Sequence, residues 1–290
     1  MVWLTKRTTL NKLNFLVSYL KRAKGSGKLK VIMAGIRYLL GKPFYFDNEV
    51  IIENKEWGYA AVMPKRDTSV VCVDMLLNPN EDLMLSRMYG LLKRYSKKSR
   101  ANYFIDIGAN VGQYSLPLTA KLTKEGYNIK TYAIEPLEKL AKCLLKSSLL
   151  SKVCYNVVNI ALSDECGNLL LKVPTKNGVH FSTISTGGII KYNRVKFDKI
   201  LGTVVPQTTL DKLLKDKGVP PERISLIKID VEGAERLVIK GGLLSLKRTK
   251  APIVFEAWSD YKLKGVIKEL VRVGYKYFYK IDRCNYVAEK

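Results

Sequence analysis

The sequence predicts a doubly wound α/β fold with a mostly parallel sheet, and three observations carry this. From Tyr103 onward short apolar runs alternate with helical segments. A glycine-rich turn, Asp106-x-Gly108-x-x-x-Gly112, closes the first run, and charged residues close the later ones at Glu135, Asp230 and Glu256. Alternation of this kind builds a parallel sheet covered on both faces, with its ligand site at the carboxyl ends of the strands.

The alternation can be followed element by element. It predicts strands at Tyr103–Ile107, Lys130–Ile134 and Val153–Leu162, with helices over 112–124 and 136–150 between them. Residues 163–206 interrupt the pattern with Gly167, Pro174, Gly178, Gly187, Gly188 and Pro206, and read as an insertion with a hairpin and a mobile loop serving as a lid. The pattern resumes with a helix near 208–216, a strand Ile224–Ile229, a helix over 233–247, a strand Ile253–Glu256 and a helix over 260–273. An antiparallel pair, Tyr275–Ile281 and Asn285–Ala288, closes the chain.

Two further segments precede this domain. Residues 1–46 hold ten Lys or Arg and no acid, and place Leu10, Leu13, Leu16, Val17 and Leu20 at helical spacing, repeated by Leu29, Ile32, Ile36, Leu39 and Leu40. They predict a basic helical hairpin that packs on the rest of the chain or lies on an anionic membrane. Residues 47–100 predict a small meander (Val50–Ile52, Tyr59–Met63, Val70–Val73) and a helix over 80–96 capped by Asn80. Residues 101–290 form the main domain.

Composition narrows the function classes. The 290 residues carry 50 Lys and Arg against 26 Asp and Glu, a net charge of +24. An anionic partner is therefore expected: nucleic acid, a phosphate-bearing substrate or an acidic membrane surface. The five cysteines are scattered without a C-x-x-C pair, which speaks against a disulfide framework or zinc knuckle and for reduced, mostly buried thiols. The single histidine, His180, rules out a histidine-based metal cluster. No run reaches the length of a membrane-spanning helix and no signal-peptide pattern opens the chain, so a cytoplasmic protein is expected, held peripherally at most.

The chemistry gathers at the strand ends. Gly108 and Gly112 let a cofactor approach the backbone, while Asp106 ahead of them suits an amino group and a sulfonium better than the pyrophosphate of a G-x-G-x-x-G turn. Glu135, fixed by Pro136, can accept hydrogen bonds from two ribose hydroxyls. Asn159–Asp164, with Ala161 at its centre, leaves the third strand where an adenine would lie. Lys228, Asp230 and Glu232 alternate at the end of the fourth strand and Glu256 ends the fifth. Charges there are costly unless used or paired. Asp230, Glu232 and Glu256 could remove a hydroxyl proton or hold a metal that acidifies it, His180 could be the base, and Lys228 is a further catalytic candidate. A salt-bridge network with Lys228 and Arg236 is the structural alternative.

Together FIDIGANVG, AIEP, NIALSDECG, TTLDKLL, LIKIDVEGAE and IVFEAW resemble the FkbM family of S-adenosylmethionine-dependent methyltransferases across about residues 101–258. The resemblance implies a Rossmann-like class I methyltransferase with a seven-stranded sheet and an antiparallel C-terminal strand. It implies O-methylation of a hydroxyl on a sugar, glycolipid or related metabolite. Cofactor contacts are implied at Asp106, Gly108, Ala109, Asn110, Gly112, Glu135, Pro136, Ala161 and Asp230, with Asp230 and Glu232 beside the transferred methyl. Some hydroxyl-methylating enzymes of this fold bind Mg2+ at the ends of the fourth and fifth strands, where Asp230 and Glu256 fall. The rival classes are an RNA methyltransferase, favoured by net charge but lacking a base-methylation signature or RNA-binding module, a dinucleotide-dependent oxidoreductase, and a membrane-associated scaffold.

Overall fold

The computed structural model describes residues 46–67, 82–176, 179–180 and 199–290. The basic segment before Phe46, the expected strand Val70–Val73, the expected cap Asn80 and the expected mobile loop, residues 181–198, lie outside the described residues.

Two strands, β1 (Val50–Asn54) and β2 (Tyr59–Met63), form an antiparallel hairpin, followed by helix α1 (Leu83–Tyr95). The helix starts later than the sequence predicts because Asp82, not Asn80, caps it: its carboxylate accepts from Leu85 N at 2.7 Å. The main domain continues with β3 (Asn102–Ile107), α2 (Ser115–Lys124), β4 (Ile129–Ile134), α3 (Glu138–Ser151), β5 (Tyr155–Val158), β6 (Ala161–Ser163), β7 (Gly167–Lys176), β8 (Val179–His180) and β9 (Lys199–Thr209). It ends with α4 (Leu210–Asp216), β10 (Ile224–Ile229), α5 (Glu235–Lys240), α6 (Leu243–Arg248), β11 (Ile253–Glu256), α7 (Asp260–Arg272), β12 (Tyr277–Lys280) and β13 (Asn285–Glu289).

Seven strands form one sheet in the order β12-β13-β11-β10-β3-β4-β5. Strands β5, β4, β3, β10 and β11 are mutually parallel, and β13 runs antiparallel to both of its neighbours. The fold is therefore the expected Rossmann-like class I arrangement. Strands β3 (NYFIDI) and β10 (ISLIKI) are buried at every position, as central strands covered on both faces must be. Alternation sorts their side chains: Phe104 and Leu226 face a core built with α1, α2, α3 and the hairpin, whereas Ile105, Ile107, Ile227 and Ile229 face one built with α4 to α7.

Three expectations are corrected. The single strand Val153–Leu162 is two, because Asn159 turns aside to donate from Nδ2 to the carbonyls of Glu135 and Pro136, both at 2.9 Å, and β6 leaves for a second sheet beside β9. The helix over 233–247 breaks at Gly241-Gly242, where an added Cβ on Gly241 would run into the Ser163 carbonyl. Of the four described cysteines, Cys143 and Cys284 are buried but Cys154 and Cys166 are exposed.

The insertion is not wholly irregular. Strands β7 and β9 pair antiparallel over nine residues and form a sheet with β6 and β8. Leu171 and Val205 on one of its faces are buried, while Leu170, Ile200 and Val204 alternate with them and are exposed. No helix among the described residues is long and apolar enough to cross a membrane.

The hairpin is tied to the domain by side-chain hydroxyls. Ser147 Oγ on α3 accepts from Val62 N at 2.8 Å and Ser151 Oγ accepts from Ala60 N at 2.9 Å, so the outer edge of β2 is satisfied by a helix. Replacing Ser147 by Ala strands a buried N–H, which costs about 1–3 kcal/mol. Urea unfolding of Ser147→Ala should show an unchanged slope and a lower midpoint, the shift multiplied by the slope giving that loss of stability.

Candidate active site

Where β3 ends, the chain turns sharply. Gly108 (φ +78°), Asn110 (φ +53°) and Gly112 (φ +78°) all adopt left-handed backbone, and a Cβ on Gly108 would collide with the Asp230 carbonyl of the neighbouring turn. Asn110 is among the few residue types that adopt this conformation readily. The turns after β3 and β10 therefore pack backbone against backbone.

Glu135 locks the turn from the other side. It is only 3% exposed; Oε2 accepts from Asn110 N and Oε1 from Leu137 N, both at 2.9 Å. Burial pushes its carboxyl up to about 7, against the lowering effect of those two backbone bonds, with Asp67 and Asp106 nearby adding to the rise. Pro136 follows as the residue that directs the chain into α3.

Between the strand ends lies a cleft with about 740 Å³ of free space, part of it open to solvent. Its polar lining is Asn110, Gln113, Glu135, Asp230 and Glu232, and its apolar lining includes Pro136, Ile160, Ala161, Leu169 and Leu171. Gly108 also lines it, while the side chain of Ala109 is buried beside it. Strand β7 of the insertion thus supplies a wall of the cleft. Gln113, which the sequence reading passed over, is 7% exposed, and its Oε1 has no hydrogen-bond partner. Its signal was available in sequence: a polar residue directly after Gly112, in a segment that the helix core otherwise fills with apolar side chains.

The third component is Lys228. It is 1% exposed and places Nζ 3.1 Å from Asp230 Oδ2, 3.6 Å from Asp106 Oδ1 and 5.1 Å from the centre of the Tyr114 ring. Burial opposes its charge, but Asp230 and Asp106 outweigh that effect and hold the ammonium above the usual lysine range. Burial raises the Asp106 carboxyl despite Lys228. The structural alternative holds in part: Lys228 does pair with Asp230, whereas Arg236 pairs with Glu269 at 2.9 Å rather than with the strand-end acids.

Beyond Asp230 the acids crowd. Glu232 stands in left-handed backbone (φ +55°), and the turn around it is fixed by Glu235, whose Oε1 accepts from Gly233 N at 2.9 Å and Val231 N at 3.2 Å. Burial, then repulsion from Asp230, holds both Glu232 and Glu256 well above the carboxylate range. Glu256 is engaged on both oxygens, by Trp258 Nε1 at 2.6 Å and Cys284 Sγ at 3.6 Å.

Those contacts bear on the metal expected at Asp230 and Glu256. Mg2+ takes near-octahedral oxygen donors. Asp230 is already neutralised by Lys228, Glu256 is occupied, and among the described residues no group of three or more acids, cysteines or histidines is arranged to hold a metal. The donor set does not fit Mg2+, and no step is assigned to a metal. His180 lies on β8 with its backbone opposite Thr175, four residues beyond Leu171, and its side chain is outside the description.

A family model described as the methyltransferase FkbM domain matches residues 106–277. No curated protein matches the chain in sequence. Among solved structures, methyltransferase FkbM from Methylobacillus flagellatus KT is similar at 15% identity and a TM-score of 0.45, covering 96% of this chain and 58% of that one. This chain thus spans somewhat over half the length of that structure. The N-terminal domain of human METTL16 is similar at 11% identity and a TM-score of 0.40, covering 98% of this chain and 93% of that one. A SAM-dependent O-methyltransferase from Thermotoga maritima is similar at 10% and 0.43, covering 76% and 71%.

The residues present fit S-adenosylmethionine. Asn110 Oδ1 and Gln113 Oε1 line the cleft as buried acceptors without a hydrogen-bonding donor, which suits a ligand bringing N–H groups, while Asp106 behind them is paired with Lys228. Glu135 has room for hydroxyl donors at the cleft and Ile160, Ala161 and Leu171 offer an apolar seat for a base. Hydroxyl donors favour an ionised Glu135, so affinity for S-adenosylmethionine should rise as pH rises through about 7 and level off above it. Each unit below should cost about tenfold. Calorimetry from pH 5.5 to 8.5 checks this; Glu135→Gln should bind weakly with no such slope.

Proposed function

The chain belongs to the FkbM methyltransferase family, and from that premise we propose that it transfers a methyl group from S-adenosylmethionine to a hydroxyl of a sugar, glycolipid or related metabolite. The observation that carries this reading is the placement of two carboxylates, Asp230 and Glu232, on the same cleft as Asn110, Gln113 and Glu135. A hydroxyl acceptor needs a proton acceptor close to the methyl donor, and this cleft provides one.

When bound, the cofactor supplies an electrophilic methyl on a sulfonium. The chain's own residues divide the remaining work. Lys228 fixes Asp230 through the 3.1 Å ion pair. Glu232 has no hydrogen bond to another described side chain, and burial with Asp230 beside it raises its affinity for a proton. In this reading Glu232 takes the hydroxyl proton and Asp230 orients the acceptor. Leu169 and Leu171 of the insertion exclude water from the cleft.

The proposal extends to location. Ten basic residues and no acid before Asp47 suit an anionic lipid surface, which would hold the enzyme beside a lipid-linked or phosphate-bearing acceptor on the cytoplasmic side of a membrane. Such attraction is screened by salt. Removing residues 1–46 should weaken co-sedimentation with phosphatidylglycerol vesicles while calorimetric binding of S-adenosylmethionine is retained.

Mass spectrometry of glycans and glycolipids from cells with and without the protein should reveal species heavier by one methyl group only when it is present. A methyl mark that appears on RNA instead would favour the nucleic-acid reading suggested by the net charge of +24. With the acceptor in hand, Glu232→Gln should lower kcat by about 100-fold or more, the usual worth of a general base. Cofactor affinity should stay within a few-fold.

A further inference from the structure

The parallel register pairs Ile229 of β10 with Phe255 of β11, so one residue further on Asp230 and Glu256 stand side by side at the sheet edge. Two residues beyond Glu256 comes Trp258, 41% exposed, with its indole N–H committed to Glu256 Oε2 at 2.6 Å. Tyr261, 85% exposed, follows in the first turn of α7, whose start is fixed by Ser259 Oγ accepting from Lys262 N at 3.3 Å. Lys262 packs over the Glu232-Gly233 turn: a Cβ on Gly233 would lie 3.5 Å from its Cε. The end of β11 and the start of α7 are thus joined to the catalytic turn of β10.

An exposed tryptophan whose only polar group is already hydrogen-bonded presents an apolar ring with its rotation restricted. Around it Asp230, Glu232, Glu235 and Glu256 are acids, with Lys228 as the buried cation and Lys262 as the cation over the Glu232-Gly233 turn, so acids outnumber bases. This region is acidic although the chain as a whole carries +24. A ring that settles here must offer C–H bonds to the indole face and hydroxyl donors to carboxylates, and it must not bring a negative charge.

We infer that Trp258, anchored by Glu256 and flanked by Tyr261, is the acceptor shelf of the enzyme, and that the ring it receives is an uncharged pyranose. This rests on the hydroxyl-methylation reading above and narrows it. Any phosphate or acidic group of the acceptor lies outside the shelf, with basic residues elsewhere on the chain to meet it. Uronic acids and nucleotides are disfavoured at the reacting position because their charge would be buried beside Asp230, whose repulsion already helps to raise Glu232 and Glu256.

Saturation-transfer NMR on the full chain with S-adenosylhomocysteine present, using methyl glycosides of glucose, mannose and rhamnose alongside methyl glucuronide, tests the shelf. The neutral glycosides should show transfer to ring C–H protons and the glucuronide none. Trp258→Ala should weaken glycoside binding by about tenfold, an energy of about 1.4 kcal/mol, with Trp258→Phe recovering most of it and S-adenosylhomocysteine affinity unchanged in both. Equal transfer in wild type and Trp258→Ala would overturn the shelf while leaving the sugar reading standing. Preference for the glucuronide would overturn the charge assignment. Should the wild type bind S-adenosylhomocysteine but no glycoside, the sugar reading itself falls. Loss of S-adenosylhomocysteine binding in both Trp258 variants would place Trp258 in the cofactor site or the fold and overturn the proposal.

Discussion

One buried cation organises this molecule. Lys228 sits in a central strand, nearly without solvent contact, and is tolerated there because Asp230 on its own strand and Asp106 on the next lie within ion-pair reach. An unpaired ammonium in such a place would shed its proton or disrupt the strand. The pairing also works in reverse: Asp230 on the cleft and Asp106 behind it are both tied to Lys228, which holds their positions. Strands β3 and β10 are joined by more than their ladder, and the turns that follow inherit that registration.

Around this centre the site separates by charge and by strand. The ends of β3 and β4 contribute a turn with left-handed backbone, the buried acceptor oxygens of Asn110 and Gln113, and Glu135, all of which line the cleft. The ends of β10 and β11 contribute acids that raise one another's proton affinity. The insertion walls one side of the cleft with Leu169 and Leu171 while presenting Leu170, Ile200 and Val204 on its far face. Acid is thus concentrated at one edge of a strongly basic chain, partly in structural pairing with Lys228 and partly on the cleft.

Much of this was legible in the sequence because the constraints are local. Buried central strands read as continuous apolar runs, and a strand-end acid stands out against such a run, as Asp106, Glu135 and Asp230 do. What escaped was set by distant contacts. The break at Gly241-Gly242 depends on the Ser163 carbonyl, about eighty residues earlier in the chain, and the split of the third strand depends on Asn159 reaching back to Glu135 and Pro136. The metal expected at Asp230 and Glu256 failed for the same reason: sequence shows the acids but not that Lys228, Trp258 and Cys284 already hold them. Gln113 was missed although it directly follows Gly112, because only the fold shows that its oxygen is buried on the cleft.

The register that sets Asp230 beside Glu256, two strands away from Glu135, has an evolutionary reading. Substitutions after β11 alter what stands next to the reacting centre without disturbing the turn held by Glu135 and Gly108. Descendants of such a protein can change the molecule they decorate by drift in one short loop, while the ancestral donor apparatus is inherited intact. Diversification in this lineage should be recorded in the residues after Glu256 and in the outer face of the β7–β9 ribbon, and stasis in the turn after β3.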